Sequence, residues 1–333
     1  MGGAVGRGLP GSSAVTLPAG WTTRRPTLDD VPAILAVVHA ADTFAIGHPD
    51  FDAEDVEASL TAPYVDPTRD SWLALDPDGT VVAWATVDNP TGVGREFVEV
   101  YVDPERAATL RAPLLARQLD RVAERAAERR LPALTVRCAV CAPERDWARD
   151  LRAAGFTVAK RYVRMRRSLA DLPAEPSPPP GVTVRPVRPD DEAELREFHR
   201  IHDVAFGDTP DHEPLSYERW RARIGDVTAW DEWFVAEVDG VLAGALQSSD
   251  QALDQQQGWV KSLSVLPAYR RRGVGAALLR RAFARYAEKG RESAGLGVDL
   301  TNPTAPLSLY ESVGLRETLW TDMYERVVPA AGV

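Results

Sequence analysis

Hydrophobic and polar positions along the chain keep two spacings, and the order in which the spacings alternate occurs twice. In residues 190–205 and 216–224 apolar side chains fall three and four apart, which predicts helices with one buried face. Short runs at 233–238, 241–247 and 258–265, rich in β-branched and aromatic residues, predict strands. Pro267 stops the last of these, an amphipathic helix begins near Val274, and a further strand covers 296–299. Helices mixed with antiparallel strands predict an α+β layered fold.

The same order is legible nearer the N-terminus. Thr23-Arg24-Arg25-Pro26 followed by Asp29 and Asp30 recurs as Thr183-Val184-Arg185-Pro186 followed by Asp190 and Asp191, with the acids where a helix should start. Ser71-Trp72-Leu73 with Asp78-Gly79 recurs as Glu232-Trp233-Phe234 with Asp239-Gly240, in each case a strand, a turn and a strand. Ala154-Gly155-Phe156 answers Val313-Gly314-Leu315. A repeat of about 160 residues is too long for a solenoid unit and fits a duplicated domain. The expected organisation is a disordered Gly/Ala/Ser/Pro-rich tail at 1–20, a first domain at 21–170, a stiff proline-rich linker at 171–181 and a second domain at 182–333.

Composition narrows the partners. At 333 residues the chain can bury two cores, and its net charge of -10 repels nucleic acid. No apolar run approaches the roughly 20 residues of a membrane span, and the first residues lack the apolar core of a secretion signal. A cytoplasmic monomer or homodimer is expected, with neither nucleic acid nor membrane as partner. Cys138 and Cys141 form a lone Cys-x-x-Cys whose companions for a zinc site are missing, so two reduced thiols and no metal are expected.

One stretch carries chemistry. In Arg270-Arg271-Arg272-Gly273-Val274-Gly275-Ala276 two glycines let the backbone come close to a ligand, and the following helix aims its unpaired N–H groups at the same place. Three arginines add fixed charge and forked donors that suit phosphate oxygens. The spacing is neither that of the nucleotide P-loop nor that of the three-glycine dinucleotide fingerprint, so the implied ligand is a different diphosphate.

This Arg-x-x-Gly-x-Gly loop, placed after a strand that ends Leu263-Ser264-Val265 with Pro267 beyond, resembles the acetyl-CoA motif of the GNAT N-acyltransferase superfamily. The later parts of that family's signature follow in order: Leu296 to Asp299 as a strand, then Asn302, then Leu309-Tyr310-Glu311 with Gly314-Leu315. The resemblance covers nearly the whole chain as two tandem GNAT folds, a mycothiol synthase-like arrangement in architecture. Each fold would be a mixed, mostly antiparallel sheet flanked by helices. The first copy looks degenerate, because Ala107, Leu110 and Ala112 stand opposite Arg270, Gly273 and Gly275, and Leu151 stands opposite Tyr310. One coenzyme per chain, in the second half, is expected.

The resemblance implies an acetyl-CoA-dependent N-acetyltransferase acting on the amine of a small molecule. A β-bulge in the strand at 258–265 would free main-chain groups at Leu263 and Val265 for the pantetheine arm and the thioester carbonyl. With Ser264, the loop from Arg270 to Ala276 and Asn302, these make up the expected cofactor-binding set. Tyr310 would protect the departing thiolate by donating a proton, and Asp299 would accept the amine's proton directly or through water. Asp250, Asp254, His202, Asp203 or a chain of waters are alternative bases. The acidic segment 199–213, with Phe206 and imidazoles interspersed, suits a cationic acceptor. An acyl-CoA sensor or scaffold without turnover, and a protein or peptide N-acetyltransferase, are the rival readings.

Overall fold

A computed structural model describes residues 17–89, 95–173, 177–207, 209, 214–224, 229–301 and 307–332. Asn302 and most of the 208–213 segment lie outside the described residues, as does most of the 1–20 tail. The chain divides into two compact units, one running to Lys160 and resuming at Thr321, the other spanning Arg161–Trp320.

In chain order the first unit holds β1 (Thr22–Arg24), α1 (Val31–Ile46), α2 (Ala53–Thr61), α3 (Pro67–Asp70), β2 (Ser71–Leu75), β3 (Val81–Asp88), β4 (Arg95–Val102), α4 (Arg111–Glu128), β5 (Ala133–Cys141) and α5 (Arg145–Ala153). β6 (Thr157–Ser168) follows and passes into the second unit at Arg161. That unit continues with β7 (Val182–Pro186), α6 (Glu192–Phe206), α7 (Tyr217–Ile224), β8 (Phe234–Val238), β9 (Val241–Ser249), β10 (Gln257–Val265), α8 (Val274–Glu288), β11 (Ser293–Asp299) and α9 (Leu307–Ser312). The last strand, β12 (Arg316–Pro329), enters the first unit at Thr321.

In both units the strands pair antiparallel except once, where a helical crossover intervenes: β4 runs parallel to β5, and β10 to β11. The ends of the repeats trade places. Residues Thr321–Pro329 of β12 pair with β5 of the first unit, while β6 from Tyr162 to Ser168 pairs with β11 of the second. The compact units therefore divide at Lys160 and Trp320, whereas the sequence repeat divides at the proline-rich linker.

The second unit buries apolar side chains on both sheet faces. Leu278, Leu279, Ala282, Phe283 and Tyr286 of α8 pack on Phe234, Leu246, Val260, Leu296 and Val298. Leu195, Phe198 and Ile201 of α6 pack with Trp220, Trp233, Val235 and Ala245 on the other side. Each buried Val, Leu, Ile or Phe among them contributes about 1.5–3 kcal/mol. Gly258 is dictated by this packing, since a Cβ there would overlap the Tyr286 ring.

Cys138 and Cys141 lie within β5, and burial pushes the Cys138 thiol up. Among the described residues no helix is long and apolar enough to cross a membrane.

Candidate active site

The site begins where β10 leaves β11. The two strands pair only from Gln257 to Val260 against Ser293 to Leu296. At that point the register of β10 with β9 slips between Val260 and Ser262, leaving Lys261 as the extra residue of a bulge. The slip also decides which way the main chain faces. Leu266 donates its N–H to Ala243 at 2.9 Å, so by alternation Ser264 and Ser262 turn their main-chain groups to β9. Leu263 and Val265 turn theirs to the opposite edge, which β11 has vacated.

That edge opens on a cavity of about 860 Å³. Leu263, Val265, Arg270, Arg271, Gly273, Val274, Gly275, Ala276, Asp299 and Tyr310 of the expected set all line it. Ser264 does not: its side chain is buried and its hydroxyl lies 3.3 Å from His202 Nδ1. Nor does Arg272, an exposed residue whose guanidinium is 3.2 Å from Asp239 Oδ2.

The loop is held in a conformation that needs its glycines. Arg271 and Gly273 both have left-handed backbone, with φ of 65° and 80°, a region that costs a residue with a Cβ roughly 1–2 kcal/mol. A Cβ on Gly273 would also sit 2.7 Å from Pro179 Cγ, and one on Gly275 would sit 3.0 Å from Leu309 Cδ2. Gly273 caps α8, whose first internal bond runs from Ala277 N–H to Gly273 O, so the N–H groups before it are left for a ligand. Arg270 is turned inward: its Nε donates to Val265 O at 3.2 Å and its Nη2 to Ala205 O at 3.1 Å, tying the end of α6 to the end of β10. Of the three arginines, Arg271 is the one that both lines the cavity and remains exposed. Orphaned N–H groups, a glycine bend and this cation form a donor set that fits a diphosphate.

Tyr310 sits on α9 and is 8% exposed. Burial pushes its phenol up to about 12, so the hydroxyl keeps its proton through the neutral range. Asp299 closes β11, with Oδ1 accepting from Thr301 N–H at 2.9 Å and from Thr301 Oγ1 at 2.6 Å. The other candidate bases are elsewhere. Asp250 and Asp254 lie in the exposed turn before β10, and neither they nor His202 and Asp203 line the cavity.

Residues outside the expected set line the wall as well. Tyr162 comes from β6, and Lys261, Ser262, Tyr269, Ser308 and Leu309 flank the motif positions. Ser308 and Leu309 could have been inferred as neighbours of Tyr310. Tyr162 carried no signal, because it belongs to the first copy of the repeat. Phe206 and Thr209, from the segment expected to face an acceptor, do line the cavity.

Comparison with known proteins agrees with this geometry. The Acetyltransferase (GNAT) family matches residues 195–315. A mycothiol acetyltransferase of Thermobispora bispora is 34% identical over 187 residues, a stretch that covers 52% of this chain and 60% of that protein. The match thus spans less than two thirds of that relative. A mycothiol acetyltransferase of Salinispora tropica is 31% identical over 309 residues, covering 87% of this chain and 90% of its own. A GCN5-related N-acetyltransferase from Sphaerobacter thermophilus superposes with a TM-score of 0.78 at 25% identity, over 94% of this chain and 98% of that one. Motif, cleft and relatives converge: the chain belongs to the GNAT acetyltransferase family and is built from two tandem GNAT folds.

Proposed function

We propose that the protein transfers the acetyl group of acetyl-CoA to the amine of a small molecule, by direct attack in the cavity of the Arg161–Trp320 unit. The observation that carries this reading is the parting of β10 from β11, which turns the main chain of Leu263 and Val265 toward the cavity that the Arg271–Gly275 bend and Tyr310 also line.

The glycine bend, Arg271 and the start of α8 hold the diphosphate, and the free edge of β10 holds the pantetheine arm. A main-chain N–H of that edge polarises the thioester carbonyl. The amine nitrogen bonds to the carbonyl carbon, the carbon–sulfur bond breaks, and the nitrogen's proton passes to Asp299 directly or through water. Sulfur leaves as a thiolate beside Tyr310. A phenol at about 12 facing a thiol near 8.5 gives up its proton uphill by about 5 kcal/mol. Tyr310 therefore acts chiefly by donating a hydrogen bond to the developing thiolate, and its proton is replaced from solvent if it transfers.

The first unit supplies no second coenzyme site in this reading: Ala107 and Leu110, opposite Arg270 and Gly273 in the repeat, are wholly buried core residues. Relatives named for mycothiol support a small-molecule acceptor over a protein one.

Tyr310→Phe tests the assignment. Thiol release from acetyl-CoA with an accepted amine should fall about a hundredfold in kcat, with acetyl-CoA affinity by calorimetry unchanged. The wild-type rate should show no loss attributable to phenol ionisation up to about pH 10, since burial places that event near 12. Equal loss of rate and affinity would mean that Tyr310 only packs.

A further inference from the structure

We propose that Gly297 sets how bulky an acceptor amine the enzyme takes. The inference rests on the reading above that amine and thioester meet in this cavity.

Leu296 and Val298 point into the core beneath α8, so by strand alternation Gly297 and Asp299 present the opposite face. Across the sheet, β6 sets Tyr162 opposite Asp299 and Arg164 opposite Gly297. The Arg164 guanidinium lies over the Trp259 ring, 5.9 Å from its centroid. Gly297 is thus a bare, exposed patch of cavity wall beside Asp299, bordered by Tyr162, Arg164 and Trp259.

Among the described residues nothing in the fold requires the glycine. It is absent from the residues with positive φ. Among the described residues a Cβ there would meet one atom within 4 Å, Trp259 Cζ2 at 3.9 Å, which is ordinary contact. Gly258 and Gly295 on the neighbouring positions differ, because Tyr286 and Gln257 already fill the space a side chain would need. A glycine inside a strand sacrifices order and packing, and an exposed one on a cavity wall leaves room for a ligand to approach the backbone closely. A group that approaches Asp299 along this face passes over Gly297. A methyl or isopropyl group at this position removes volume from the acceptor and leaves the Arg271–Gly275 bend untouched.

The test uses the full chain with Gly297→Ala and Gly297→Val. Thiol release is followed with a size-graded series of primary amines from methylamine through benzylamine to tryptamine, and acetyl-CoA binding by calorimetry. For the bulkiest amine that the wild type accepts, Gly297→Val should lower kcat/KM at least about tenfold, with Gly297→Ala in between. The smallest accepted amine and the acetyl-CoA Kd should stay within about twofold, and neither variant should melt below the wild type. Uniform loss across the series, an unchanged rate with the bulkiest amine, or weakened acetyl-CoA binding each overturns the proposal. A wild-type chain that binds acetyl-CoA and acetylates no amine in the series overturns the function proposed above, and this proposal with it.

Discussion

At the scale of single residues, the three arginines before Gly273 have three different surroundings, and this decides what each can do. Arg270 is spent on the carbonyls of Val265 and Ala205, Arg272 meets Asp239, and Arg271 lines the cavity in a left-handed conformation. A charge-assisted bond to phosphate is worth about 1.5–3 kcal/mol, so Arg271→Ala should weaken acetyl-CoA binding roughly tenfold or more. Arg272→Ala should change it less than about threefold, because an exposed pair contributes little. Gly273→Val combines a disfavoured φ with the clash against Pro179, and should abolish detectable binding. Calorimetry on the three variants checks the ranking, and an Arg272→Ala loss matching that of Arg271→Ala would refute it. The need for glycine was readable in the sequence, because positive φ and close approach are properties of the residue type. Which guanidinium stayed exposed along the cavity was not, since that depends on Ala205, 65 residues earlier.

At the scale of elements, helix and strand periods located the parts well. The expected strand at 258–265 is Gln257–Val265, and the helix expected near Val274 starts there. The paired acids placed at the helix starts have a more specific role than their position suggested. Asp191 caps α6 by accepting the Glu194 N–H at 3.1 Å, while Glu194 itself is engaged by Arg185 and Arg188. In the first unit the side chain of Asp30 makes no cap bond to α1 and instead pairs with Arg24 at 2.5 Å. Burial alone would raise the Glu194 carboxyl, but hydrogen bonds from Arg185 and Arg188 outweigh it and hold the carboxyl at about 2. A depressed carboxyl contributes stability that is complete above its ordinary value near 4.5 and disappears as pH falls toward 2. Glu194→Gln should therefore cost about 2 kcal/mol at pH 7 and flatten the loss of stability between pH 4.5 and 2.5. Urea midpoints at the two ends of that window measure it, and an acid limb as steep in the variant as in the wild type would show that other carboxylates govern it.

At the scale of the whole molecule, a period of two fixes which face a strand buries and says nothing about its neighbour. The alternating pattern of β6 reads the same whether it closes its own repeat or pairs with β11, so the exchange of β6 and β12 left no mark in the sequence. The consequence is physical. A fragment of residues 182–333, cut where the repeat suggests, lacks β6, and β11 loses its partner from Ser293 to Asp299. The buried Val163 and Met165 go with it, as does Tyr162 from the cavity wall. The fragment also carries Thr321–Pro329, whose own partner β5 is gone. Two unpaired edges flanking exposed apolar surface favour aggregation. A fragment of residues 161–320 keeps the compact unit whole, with β11 paired on both sides and the cavity lining intact. Size-exclusion chromatography and acetyl-CoA calorimetry on the two fragments should find 182–333 aggregated and unable to bind, and 161–320 monodisperse with an affinity within about tenfold of the full chain. If 182–333 instead folds and binds as the full chain does, the partner strand is dispensable and the second repeat is a self-sufficient domain.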